Sequence, residues 1–166
     1  MPESTNTYLA EIREKLGDAF REPLAATAKA ILADEASLWL KSPDKNVLVM
    51  ILNGNPSASD MELQAEQPLD TGLISQVFRS GKPFIDPHSL PTRNHSKKID
   101  IEYSQVTHYM AIVPVIADGA CVGVVSAVKF PNDGDRIRKA SEWNFSKDAL
   151  ERLEALAAKI AASLQA

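Results

Sequence analysis

A chain of 166 residues is long enough for one domain with a hydrophobic core and too short for two. Its 45% apolar and 24% charged residues describe an ordinary soluble globular protein and exclude a disordered or fibrous chain. The formal charge of -4 comes from 22 acidic and 18 basic residues scattered along the sequence, which leaves no basic face for nucleic acid or an anionic membrane.

The amino-terminal MPESTNTYLAEIREKLGDAF is too polar and acidic for a secretory signal, and no apolar run reaches the length of a membrane span. A cytoplasmic location is expected. The single cysteine, Cys121, cannot close an internal disulfide or complete a zinc knuckle, in keeping with a reducing compartment.

From Ser4 to about Phe20, the residues Leu9, Ile12, Leu16 and Phe20 form a helical stripe. A second helix is predicted from Pro23 through Leu24, Ala28, Ile31 and Leu32, unless the two are one helix bent at the proline. The organisation expected is an amphipathic helix over 1–22 and a domain over 23–166. Two strands follow, Ala36 to Leu40 and Val47 to Leu52, joined by the turn-rich KSPDKN. Residues 53–59 read as loop. Leu69 to Gly81 carries the punctuation of a short helix, with Asp70 as cap, Leu73, Ile74, Val77 and Phe78 facing inward, and Gly81 ending it. Pro83 to Asp86 is a possible short strand. Residues 87–107 show no periodicity, and their position between strands suggests a binding loop or lid.

Tyr109 to Ala117 and Ala120 to Phe130 are β-branched and apolar, and Asp118-Gly119 between them is a strong hairpin signal. A regular register from that turn pairs Ala117 with Ala120, Val115 with Val122, Val113 with Val124, Ala111 with Ser126 and Tyr109 with Val128 on one face. It pairs Ile116 with Cys121, Pro114 with Gly123 and Ile112 with Val125 on the other. Both faces are apolar, so both require a cover. After the polar stretch 131–143, whose basic Arg136-Ile137-Arg138-Lys139 reads as a solvated loop, Ser146 is a good N-cap for a helix. That helix carries Leu150, Leu153, Leu156, Ala157, Ile160 and Leu164 on one side.

Little here is catalytic chemistry. Cys121 lies one residue past a tight turn with no nearby cation to lower its pKa, and reads as packing. His88, His95 and His108 are seven and thirteen residues apart without a helical pair or a partnering carboxylate pattern, so no metal site is expected. There is no G-x-S-x-G, phosphate-cradling glycine loop, H-E-x-x-H or C-x-x-C.

The run GLISQVFRSGKPFID from Gly72 to Asp86, V-P-V at Val113 to Val115, V-G-V at Val122 to Val124 and F-S-x-D-x-L at Phe145 to Leu150, in that order, resemble a GAF domain from about Pro23 to the carboxyl terminus. The resemblance implies an α+β, three-layer arrangement with a central, mostly antiparallel sheet. It places the amino- and carboxy-terminal helices on one face and a ligand pocket with loops on the other. It further implies a non-catalytic, small-molecule-sensing regulatory domain in bacterial-type signalling, with its pocket coupled to terminal helices that pair two copies.

Departures narrow the family. The cysteine that attaches a bilin is missing, and so are the several cysteines of members that reduce free methionine sulfoxide. Asn94, Lys97 and Lys98 match only the start of a cyclic-nucleotide pattern, and no DNA-binding module fits within these residues. The pocket residues expected are Ser37, Trp39, Tyr109 and Ser126, with His88 and His108 at the rim. Tyr109 and Ser126 are chosen together because the regular hairpin register puts them on one face. No catalytic residue and no cofactor is assigned. The partners expected are an unidentified small molecule, a second copy and a separate signalling protein. The alternatives are a dimerisation or docking scaffold on the same fold and, further off, an enzyme related to free methionine sulfoxide reductase.

Overall fold

The computed structural model describes residues 2–54, 65–85, 109–129, 132–133, 136–137 and 145–165. The chain begins with α1, Pro2–Ala30, one continuous helix with Pro23 inside it, so a separate helix beginning at Pro23 does not form. Leu9, Leu16, Leu24 and Ala28 along it are buried. The helix ends in a Schellman turn, with Leu32 N donating to Lys29 O at 3.2 Å and Ala33 N to Ala28 O at 2.9 Å. The left-handed residue of this turn, normally glycine, is Leu32 at φ 61°, with its side chain 74% exposed.

The strands are β1, Glu35–Lys41, β2, Val47–Asn53, β3, Glu66–Pro68, β4, Phe84–Ile85, β5, Tyr109–Ala117, and β6, Ala120–Lys129. They form one sheet in the order β3-β2-β1-β6-β5-β4, each neighbouring pair antiparallel. A separate small ladder joins β7, Asn132–Asp133, to β8, Arg136–Ile137, within the stretch expected to be a polar excursion. The pairing of β1 with β6 at the centre joins the amino-terminal hairpin to the carboxy-terminal one. Asp118 and Gly119 both adopt positive φ, 52° and 75°, as the two-residue turn requires.

Two bulges break the regular alternation. On β2, Leu52 pairs with Leu38 and Met50 with Trp39, so Ile51 is the extra residue and both Ile51 and Leu52 join the helix-side core. On β6, Cys121 pairs with Ile116 but Gly123 with Val115, so Val122 is extra. This corrects the predicted hairpin register. Beyond the turn every pair moves by one: Val113 faces Val125, Ile112 faces Ser126, Met110 faces Val128 and Tyr109 faces Lys129.

Both faces of the sheet are covered. Against one lie α1 and α3, Lys147–Gln165, whose Leu153, Leu156, Ala157 and Ile160 are buried with Leu38, Leu40, Val113, Val125 and Ala127. The Ser146 hydroxyl caps α3 by accepting from Ala149 N at 3.0 Å, as expected. Against the other lies α2, Leu73–Ser80, whose Leu73, Ile74 and Val77 pack with Trp39, Leu48, Met50, Ile112 and Val124. Its amino-terminal cap is Gly72, with no side-chain cap bond, and not Asp70 as predicted. Gly81 ends it at φ 68° as expected.

Gly123 sits where β6 comes closest to β1: a Cβ there would overlap the Trp39 carbonyl oxygen and lie 2.7 Å from Leu40 Cδ2. Replacing Gly123 by Ala must push the two central strands apart, and urea titration is expected to show a loss on the order of 3 kcal/mol. Leu32→Gly acts the other way. Relief of the left-handed conformation outweighs the added freedom of the unfolded chain, and the same titration is expected to show a gain of roughly 0.5 kcal/mol or more.

Candidate functional site

Side chains alternate across a strand, so one register decides which residues share a face. On β1 the residues Ala36, Leu38 and Leu40 join the helix-side core, and Ser37 and Trp39 point the other way. Ser37 pairs with Asn53 on β2 and with Ser126 on β6, and Ser126 pairs in turn with Ile112 on β5. The result is a row Asn53, Ser37, Ser126 across three adjacent strands. It lies one step along the strands from the Met50, Trp39, Val124 row that packs with α2.

This row is polar and mostly buried, with Ser37 half-buried between two buried neighbours. Ser126 is 2% exposed and Asn53 is also buried. The Trp39 indole N–H donates to Ser37 Oγ at 2.9 Å, which fixes the indole and the hydroxyl relative to each other. Asn53 Nδ2 makes a long contact with Met50 Sδ at 4.0 Å among its interactions. Around the row, the approach to α2 is pinned by polar side chains. Ser75 Oγ donates to Pro68 O at 2.6 Å, Gln67 Nε2 to Thr71 O at 2.9 Å, and Arg79 to Leu69 O at 3.0 Å. These bonds, from the buried Ser75 and Gln67 and the exposed Arg79, tie the β3–α2 connection together and hold that helix at a fixed height over the sheet.

Of the residues predicted for a pocket, Ser37, Trp39 and Ser126 come together. Tyr109 is described only in its backbone, in β5 opposite Lys129, and the register that paired it with Ser126's face is the one the bulge overturns. His88 and His108 lie outside the described residues. Asn53 was missed because Asn-Gly reads as a loop; the bulge at Ile51 carries β2 one residue further and brings its carboxamide into the row.

Cys121 is elsewhere. With Val122, Leu40, Ile12, Tyr8 and Leu164 it lines an open groove of about 860 Å³ between the sheet and the ends of α1 and α3. The bulge makes the consecutive residues Cys121 and Val122 reach the same groove. Burial pushes the Cys121 thiol up, against smaller opposing effects of main-chain hydrogen bonds at Gly123 and Val115. A second groove, about 460 Å³, runs between α1 and α3 and is lined by Phe20, Pro23, Ala26, Ala30, Ala155 and Leu156, with Arg152 and Lys159 at its margin. Among the described residues no three His, Cys, Asp or Glu side chains gather into a metal-ligand set, and no helix is long and apolar enough to cross a membrane.

A six-stranded antiparallel sheet with its terminal helices on one face and a short helix beside a buried polar row on the other is an α+β architecture shared by a family of regulatory domains. The GAF domain family model matches residues 14–165, and the chain belongs to that family. Solved structures agree on the fold. The chain is similar to the GAF domain of a phosphoenolpyruvate-protein phosphotransferase from Coxiella burnetii, at TM-score 0.73 and 15% identity over 97% of this chain and 92% of that one. It is similar to a type II free methionine-R-sulfoxide reductase from Thermoplasma acidophilum, at TM-score 0.68 and 13% identity over 93% and 95%. It is also similar to the second GAF domain of DevS from Mycobacterium smegmatis, at TM-score 0.60 and 20% identity over 87% and 89%. At these identities the likeness is one of fold. No curated protein sequence matches the chain.

The raised thiol has a direct consequence. At pH 7 a smaller fraction of Cys121 is thiolate than in a free cysteine, so iodoacetamide should alkylate it more slowly than it alkylates cysteine in solution, with the rate rising only as the pH passes above the ordinary thiol range. Alkylation as fast as or faster than free cysteine at pH 7 would show an activated thiol instead.

Proposed function

We propose that this chain is a non-catalytic, small-molecule-sensing GAF domain whose ligand sits on the α2 face of the sheet and whose output passes through α1 and α3. The observation that carries the reading is the double use of β1 and β6. Ser37 and Ser126 face the proposed ligand, while their immediate neighbours Leu38, Val125 and Ala127 are buried against the terminal helices. Consecutive residues of a strand are about 3.3 Å apart, and a close-packed core transmits displacement rather than absorbing it. A ligand that fits one arrangement of the row better than another therefore shifts the packing under α1 and α3, to the extent that its affinities for the two arrangements differ.

The proposed pocket comprises Ser37, Trp39 and Ser126 with His88 and His108 at its rim, and Asn53 joins them; Tyr109, paired with Lys129 one strand step off the face of Ser126, is left out of it. The proposed output is through the 1–22 segment and α3, with a second copy meeting the domain along the groove between the terminal helices. That groove exposes Pro23, Ala26, Ala30 and Ala155 beside Phe20, which suits helix pairing. A cytoplasmic setting and a separate signalling partner complete the reading. The same groove supports the second reading, in which the domain is a dimerisation or docking scaffold that binds no ligand. A reductase related to the Thermoplasma protein is disfavoured, since the chain has one cysteine, and its thiol lines the helix-side groove with its pKa pushed up.

Native mass spectrometry of the protein as purified, compared with its denatured mass, separates the readings. The sensing reading predicts extra mass in the native ion that is released on denaturation and is retained by Cys121→Ala. A bare dimer favours the scaffold, and loss of the bound mass in Cys121→Ala would bring the thiol back into the site.

A further inference from the structure

We infer that Arg13 is a positioning residue that couples α1 to the α2 side of the sheet through a single strand residue, Met50. The inference rests on the sensing reading and names one link in its output. Arg13 Nη2 donates to the Met50 carbonyl at 3.0 Å, between residues 37 apart in sequence. The Met50 side chain is buried on the other side of the sheet, in the cluster of Trp39, Leu73, Ile74, Val77 and Val124. Met50 therefore belongs to both layers. Its carbonyl is held by a terminal helix and its thioether by the core under α2.

The bulge on β2 starts at this residue. Met50 pairs with Trp39 and Leu52 with Leu38, so the ladder is interrupted at Ile51, next to the carbonyl that Arg13 takes. Met50 N donates to Ala65 O at 3.0 Å, so both main-chain groups of Met50 are gripped from outside the β1–β2 ladder. Just past the end of β2 the helix comes close with no side chain between: a Cβ on Gly54 would lie 2.9 Å from Ala25 N and 3.2 Å from Leu24 C. α1 thus follows β2 from Arg13 to Ala25, through a guanidinium at one end and backbone against backbone at the other. Burial pushes the pKa of the Arg13 guanidinium below its ordinary value, and the Met50 carbonyl replaces part of the water this group has given up. A charge-assisted bond is directional where an apolar contact slides. A displacement of Met50 under α2 moves its carbonyl, and α1 is drawn with it.

Val77→Ala probes the link from the far side of the sheet, because Val77 is buried in the Met50 cluster and α1 packs on the opposite face. Backbone amide NMR shifts of α1 and α3 are compared with and without this substitution in the native protein, in Arg13→Met and in Arg13→Lys. In the native protein the response of α1 is expected to centre on residues 10–16 and to exceed that of residues 24–28 at least about twofold. Arg13→Met is expected to cut the 10–16 response at least about threefold, while the response of α3, which is buried with Val113, Val125 and Ala127 of β5 and β6, stays as it is. Arg13→Lys keeps a cationic donor without the planar fork and is expected to restore roughly half of the lost response.

An undiminished response in Arg13→Met would make the bond a structural tie alone, overturning the inference with the sensing reading intact. A native response centred on residues 24–28 would route the coupling through Gly54 and overturn it equally, and that measurement needs no Arg13 variant to fold. Loss of the α1 and α3 responses together in Arg13→Met would mark a general loosening of the core and also overturn it. No response in either helix of the native protein would overturn the inference and the proposed helical output together.

Discussion

The pairing of β1 with β6 holds this domain together. Each strand is the inner member of a hairpin, so their contact is where the amino- and carboxy-terminal halves of the chain become one sheet. The contact is close enough that residue 123 has no room for a side chain. Both cores are built on the same two strands: Leu38, Val125 and Ala127 under the terminal helices, Trp39 and Val124 under α2. Neither face can be repacked without the other registering it, because the wall between them is a single layer of backbone.

That shared wall also explains the placement of polar groups. Hydrogen-bonding side chains in a sheet interior weaken a fold unless they are satisfied, and this one concentrates Asn53, Ser37 and Ser126 in a single cross-strand row. The thiol that could have carried chemistry is separated from the row. Cys121 lies by the hairpin turn in the helix-side groove, where burial favours its protonated form. The proposed binding surface on one face and the proposed helical output on the other are a division of labour that a GAF domain with no reactive group in its described floor can support.

Much of this was legible in the sequence where local chemistry decides conformation. Asp118-Gly119 announced the turn, Ser146 and Gly81 announced helix ends, and the apolar periods of α1 and α3 announced buried stripes. The order of four weak motifs was enough to identify the family. What the sequence concealed depends on distant contacts. A bulge at Val122 leaves no mark in a run of β-branched residues, yet it shifts the register and with it the partner of every residue from Tyr109 to Val115. The bulge at Ile51 similarly turned an apparent loop residue, Asn53, into a member of the row. Strands of two or three residues such as β3, β7 and β8 are too short to show a period. Asp70 had the right chemistry for a cap, but the chain enters α2 through the positive φ of Gly72, at 83°. Ser37, Trp39 and Ser126 share one face despite the slip, since β1 links them directly through Ser37.

A crystal structure of the protein as purified would test the central claim most directly. The account predicts a non-protein molecule or a chain of ordered waters hydrogen-bonded to Ser126 Oγ, with Ser37 and Asn53 turned toward the same site. A Ser126 hydroxyl bonded to a protein group, with the row closed by side chains, would contradict it and leave the sheet as structural support for the terminal helices alone.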